Sequence, residues 1–93
     1  MTDLYTLQPT QVVLYGVWWC GDCRRARQVF SQMDVPYLDI NIDSDKQAEA
    51  FVKQVNQGNR SVPTIVFPDG STLTEPDNVS LSNKLNQYKF SKR

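Results

Sequence analysis

The chain has 93 residues, 40% hydrophobic and 22% charged, which predicts one globular domain spanning residues 1–93 with roughly 65% of its unfolded surface buried. Ten basic residues balance ten acidic ones, which removes the electrostatic footprint of a nucleic-acid or anionic-membrane binder. With no histidine and two cysteines, Cys–His nucleophilic catalysis, His-ligated zinc and Ser–His–Asp triads are excluded, and one chain is short of ligands for a closed zinc site.

Asp3 lies where a targeting segment would carry cations, and the longest nearly apolar run, residues 12–20, falls short of the ~18 residues of a membrane span. The expectation is a cytoplasmic protein with no membrane partner. Val12, Val13, Leu14 and Tyr15 form a continuous β-forming run ending at Gly16, the pattern of a fully buried strand. Ala26, Val29, Phe30 and Met33 then fall at helical spacing, with Cys23 on the same stripe, and the pattern stops before Asp34-Val35-Pro36. Leu38, Ile40 and Ile42 alternate with Asp39 and Asn41, as in a half-buried edge strand.

Ser44 and Gln47 make a capping-box pair ahead of a second helical stripe, Ala48, Phe51, Val52 and Val55, which Gly58 closes. Thr64-Ile65-Val66-Phe67, the turn Pro68-Asp69-Gly70 and Ser71-Thr72-Leu73 predict an antiparallel hairpin. Asp77 or Asn78 caps a last helix with Leu81, Leu85 and Tyr88 on one face and Lys84, Lys89, Lys92 and Arg93 toward its cation-favouring end. The resulting order is β-α-β-α-β-β-α, an α/β fold whose first crossover requires parallel strands. The Cys-x-x-Cys pair therefore sits at the carboxyl end of the first strand, where sites in such sheets favour forming.

Cys20 and Cys23 are unequal at that position. Cys20 lies before or in the first turn, where free backbone N–H groups and the positive end of the helix dipole stabilise a thiolate. Cys23 begins the sheltered stripe. Cys20 is the expected nucleophile, and Cys23, one turn away, can attack a mixed disulfide on it and release the product. A permanent disulfide here would close a four-residue ring worth only about 2 kcal/mol, so redox catalysis is the favoured reading over a structural bridge or a bound metal.

Trp19-Cys20-Gly21-Asp22-Cys23 opening a helix, together with Ser61-Val62-Pro63-Thr64 opening a strand and a hairpin near Asp69-Gly70, resembles the glutaredoxin family of the thioredoxin superfamily over the whole chain. The segments 58–64 and 69–76 most resemble its actinobacterial mycoredoxin-like branch. The resemblance implies a four-stranded mixed sheet flanked by helices and a thiol–disulfide oxidoreductase with catalytic Cys20 and Cys23. It implies substrate contacts at Trp19, Gly21, Asp22, Arg25, Val62, Pro63, Asp77 and Asn78, with a cis Pro63 beside the sulfurs and Val62 pairing its backbone with substrate. It further implies no permanently bound cofactor or metal, and a low-molecular-weight thiol, mycothiol or glutathione, as co-substrate. The implied partners are disulfide-containing proteins and a flavoprotein reductase, with the chain a monomer.

The residues also depart from the common pattern. Gly21 and Asp22 replace the usual Pro-Tyr between the cysteines, Val17 stands where many glutathione users carry Lys, and Glu75-Pro76 replaces their Gly-Gly. The first change leaves the redox poise open, and the other two are expected to weaken glutathione binding and favour mycothiol. Asp77 and Asn78 either hold the small thiol or simply cap the helix. Arg24, Arg25 and Arg27 crowd a helix start that disfavours cations, which calls for an offsetting thiolate or anionic substrate unless they simply form a solvated helix face. One of Trp18 and Trp19 is expected to rim the nucleophile while the other packs inward. Asp22 is expected to repel a Cys20 thiolate, unless it turns away toward Arg25. Two other functions remain open: a thioredoxin-like dithiol electron donor, for example to ribonucleotide reductase, and a dimeric iron–sulfur cluster carrier holding the cluster through Cys20.

Overall fold

A computed structural model describes residues 3–91. Seven elements follow in chain order: β1 (Val13–Gly16), α1 (Gly21–Gln32), β2 (Leu38–Asn41), α2 (Lys46–Val55), β3 (Thr64–Val66), β4 (Thr72–Thr74) and α3 (Asn78–Ser91). The four strands form one mixed sheet in the order β2-β1-β3-β4. β1 and β2 are parallel, whereas β1–β3 and β3–β4 are antiparallel. The element order and the edge position of β2 are those predicted from the sequence. β1 lies one residue later than expected, and β4 runs on to Thr74.

Because strand side chains alternate between faces, the fully buried β1 feeds two cores. Val12 and Leu14 pack with Ala26, Val29 and Phe30 of α1 and with Leu81 and Leu85 of α3. Val13 and Tyr15 pack on the other face with Ala48, Phe51 and Val52 of α2. Cys23 departs from its helical stripe here. It joins the α2-side core although Ala26, Val29 and Phe30 of the same helix pack on the α1/α3 side, because its sulfur sits over Gly16, where the strand ends.

The second helix is capped by Asp45 rather than by Ser44. Asp45 Oδ1 accepts the Ala48 N–H at 3.1 Å, and its Oδ2 accepts the Tyr5 hydroxyl at 2.6 Å. Ser44 instead donates its hydroxyl to the Asn41 carbonyl. At the helix end, Gln57 and Gly58 both take positive φ, 58° and 98°, and the Gly58 N–H returns to the Lys53 carbonyl.

Asp77 is the cap of α3, its Oδ1 accepting the Ser80 N–H at 2.7 Å. Asn78 is the first helical residue. Lys84 pairs with Asp69 in the hairpin turn, and Lys89 donates to the Met33 carbonyl at the end of α1, so two of the four predicted cations fasten α3 to its neighbours. Lys92 and Arg93 lie outside the described residues. Among the described residues no helix is long and apolar enough to cross a membrane.

Candidate active site

The loop after β1 delivers Cys20 to the N-cap of α1, in extended backbone with φ −95° and ψ 122°. Its sulfur accepts the Cys23 N–H at 3.3 Å, taking up one of the free donors of the first turn. The same sulfur lies 3.9 Å from the Val62 carbonyl, which brings the segment before β3 against the cysteine pair. The Val62–Pro63 bond is cis. Both cysteines are free thiols, Cys20 half-buried and Cys23 0% exposed.

Burial pushes the Cys23 thiol up to about 11, with a smaller contribution from the neighbouring Cys20 sulfur, while the Val17 backbone and Arg27 oppose the rise. Cys23 is therefore a protonated thiol at neutral pH. A folded-state pKa above the unfolded one means that the native state keeps a proton that the unfolded chain releases. The corresponding stability is fully present below about pH 9 and is lost as pH rises toward about 11. In denaturant melts, the reduced protein should lose more stability between pH 9 and pH 11 than its Cys23→Ala variant does. Parallel losses would mean that this sulfur does not titrate in that range.

Gly16 is a residue the sequence reading did not single out. A Cβ on it would stand 2.9 Å from the Cys23 sulfur, 3.1 Å from Leu14 Cδ2 and 3.3 Å from an Arg27 nitrogen. Its missing side chain is the seat of the buried sulfur.

Two of the three arginines of α1 pair with carboxylates. Arg25 pairs with Asp22 one turn before it, so the Asp22 carboxylate is engaged by a cation rather than left to repel the Cys20 sulfur. Arg27 bonds Asp39 on β2 at 2.9 Å and donates to the Val17 carbonyl. Its guanidinium lies 4.8 Å from the Trp18 ring centroid, a cation–π distance. Carboxylates thus offset two of the three charges, while Arg24 is exposed.

Neither tryptophan packs inward: Trp18 is 60% and Trp19 71% exposed. The Trp19 indole N–H donates to Asp43 Oδ2 at 2.9 Å. Asp43 also pairs with Arg60, which reaches on to Glu49 of α2. The indole bond, reinforced by Arg60, holds the Asp43 carboxyl below the ordinary range.

The structure thus assembles Cys20, Cys23, Trp19, Gly21, Asp22 and Arg25 from one loop and helix start with Val62 and Pro63 from the segment before β3. Glu75 N–H bonds the Pro63 carbonyl at 2.8 Å, which ties the chain leading to Asp77 and Asn78 to the Pro63 segment. Asp77 spends its carboxylate on the helix cap. Among the described residues no group of three or more His, Cys, Asp or Glu side chains could hold a metal ion.

The glutaredoxin family model matches residues 12–71. A Mycobacterium tuberculosis protein with a glutaredoxin name is 39% identical over 74 residues, covering 80% of this chain and 88% of its own. Mycoredoxin 1 of Corynebacterium glutamicum is 36% identical over 67 residues, covering 72% of this chain and 82% of its own. Among solved structures, the holo form of poplar glutaredoxin C1 superposes with a TM-score of 0.65 at 25% identity, over 90% of this chain and 82% of that one. A thioredoxin-like protein solved as a mutant reaches 0.72 at 21% identity, over 82% of this chain and 100% of that one. With its thioredoxin-like sheet and a Cys-x-x-Cys pair at the head of α1, the chain belongs to the glutaredoxin family of thiol–disulfide oxidoreductases.

Proposed function

We propose that the chain reduces mixed disulfides between proteins and a neutral low-molecular-weight thiol of the mycothiol type. The observation that carries this reading is the asymmetry of the sulfurs: Cys20 is reachable and supplied with a backbone donor, whereas Cys23 is closed off and protonated. Cys20 thiolate attacks the small thiol's sulfur, the mixed disulfide breaks, and the protein thiolate leaves and takes a proton. Cys20 is then disulfide-bonded to the small thiol. A second small thiol attacks that bond, frees Cys20 and departs as the oxidised small-thiol dimer. Alternatively Cys23 loses its proton, closes the Cys20–Cys23 disulfide and expels the small thiol.

The choice of thiol follows from the charges around the cleft. Glutathione carries two carboxylates, but Arg25, Arg27 and Arg60 are already paired with Asp22, Asp39, Asp43 and Glu49, and Val17 is a buried apolar residue. A neutral sugar-based thiol needs none of these cations. The relationship to mycoredoxin 1 supports the same choice. On this reading the chain works as a monomeric, single-domain cytoplasmic enzyme. Gly21, Asp22 and Arg25 line the approach to Cys20, Val62 offers its backbone to substrate beside Pro63, and Asn78 is more available to the thiol than the cap residue Asp77. Electrons arrive from the thiol pool or from a flavoprotein reductase.

The test uses Cys23→Ser, which cannot resolve an adduct, exposed separately to oxidised mycothiol and oxidised glutathione. Intact-mass spectrometry should show the mycothiol adduct on Cys20 forming faster. A faster glutathione adduct would place the protein with the glutathione users.

A further inference from the structure

Trp19 stands immediately before the reactive cysteine, yet at 71% exposure packing does little to fix its ring. What holds it is its bond to Asp43, 2.9 Å from indole nitrogen to carboxylate oxygen. Asp43 follows β2 and is itself fixed, its N–H bonded to the Asn41 side chain. Its other oxygen binds Arg60, two residues before Val62, and Arg60 is anchored from behind by Glu49 on α2. One carboxylate therefore joins the two chain segments that meet at the Cys20 sulfur: the loop carrying Trp19 and the strand-opening segment carrying Val62, whose carbonyl faces that sulfur at 3.9 Å. Because both bonds involve an ion, they are stronger and more directional than neutral ones.

We propose that Asp43 is a positioning residue for disulfide exchange, holding the Trp19 indole and the Arg60–Val62 segment in register on either side of Cys20 so that a bulky disulfide substrate meets a preformed cleft. Asp43 touches neither the sulfurs nor the substrate. Its effect belongs to substrate capture and not to the intrinsic reactivity of Cys20, and it rests on the mixed-disulfide reading only for the identity of that substrate.

The test is made in a Trp18→Phe, Cys23→Ser background, in which Trp19 is the sole tryptophan. Asp43→Ala should increase the fast local depolarisation of Trp19 fluorescence and raise KM for the small-thiol mixed disulfide about 5- to 10-fold, the effect expected for losing polar contacts that solvent largely screens. Both kcat and the rate of Cys20 alkylation by iodoacetamide, a reagent too small to need the cleft, should stay within about twofold. Asp43→Asn keeps an acceptor for the indole and should retain the ordered Trp19 signal. Trp19→Phe should raise KM by no more than Asp43→Ala, which also releases Arg60, and combining the two should add little beyond Asp43→Ala, because both remove the indole bond. Unchanged Trp19 depolarisation in Asp43→Ala overturns the proposal whatever the substrate. So does alkylation that slows in step with turnover, or a double variant whose losses multiply. Failure of the parent protein to turn over the mixed disulfide would instead count against the functional reading, and the depolarisation arm would still decide the tether.

Discussion

Cys20→Ser should reduce turnover of every disulfide substrate to the uncatalysed background, because it removes the one sulfur that is both reachable and placed at the head of α1. Cys23→Ser should behave differently. With excess small thiol it should keep reducing small-thiol mixed disulfides within about threefold of the wild-type rate, since an external thiol can regenerate Cys20. It should lose reduction of protein disulfides that need Cys23 to resolve the adduct. The structure gives the physical ground for this split: Cys20 is the half-exposed N-cap with its sulfur on the Cys23 N–H, while Cys23 is fully enclosed and its thiol is pushed up to about 11. Resolution by Cys23 therefore requires loss of a proton held more tightly than that of an ordinary thiol, so the protein-disulfide activity should go on rising above about pH 9, where the small-thiol activity levels off. Steady-state rates of both variants against both substrate types measure this, and equal loss in the two variants would rule out the monothiol route.

Much of this arrangement was legible from local patterns. The apolar run 12–15, the stripe Ala26-Val29-Phe30, the stripe Ala48-Phe51-Val52 and the turn at Asp69-Gly70 each depend on periodicity or turn chemistry within a few residues, and all are realised. What escaped depends on partners distant in the chain. Ser44 satisfies the capping-box rule, yet Asp45 caps α2, where the Tyr5 hydroxyl, 40 residues away, also holds its carboxylate. Apolar character suggested that one tryptophan would be buried. Trp18 instead rests against Arg27, and Trp19 is bound to Asp43, 24 residues further on. The Asp22–Arg25 pair was within reach, because residues three apart on a helix are neighbours.

Gly16 is the other silent position, and replacing it should have the second large effect. Its sequence context reads simply as a strand end, whereas the structure leaves no room there for even a methyl group: the Cys23 sulfur would stand 2.9 Å from the new Cβ. Real Cβ atoms do not tolerate that approach, and the enclosed site offers the sulfur little space to retreat. Gly16→Ala should therefore destabilise the reduced protein by about 1 to 3 kcal/mol, the usual range for overpacking a core. It should also slow closure of the Cys20–Cys23 disulfide by an order of magnitude or more, because the resolving sulfur is pushed off its seat while ring closure tolerates only a narrow geometry. Alkylation of Cys20, whose backbone donor comes from the Cys23 main chain, should change far less. The combination with Cys23→Ala identifies the cause. Removing the sulfur makes space for the new methyl, so Gly16→Ala should cost clearly less stability in the Cys23→Ala background than in the wild type. If the loss were the same in both backgrounds, the strain would lie against Leu14 or Arg27, which stand only a few tenths of an ångström further away, and Gly16 would be a packing residue of β1 with no particular relation to the resolving cysteine.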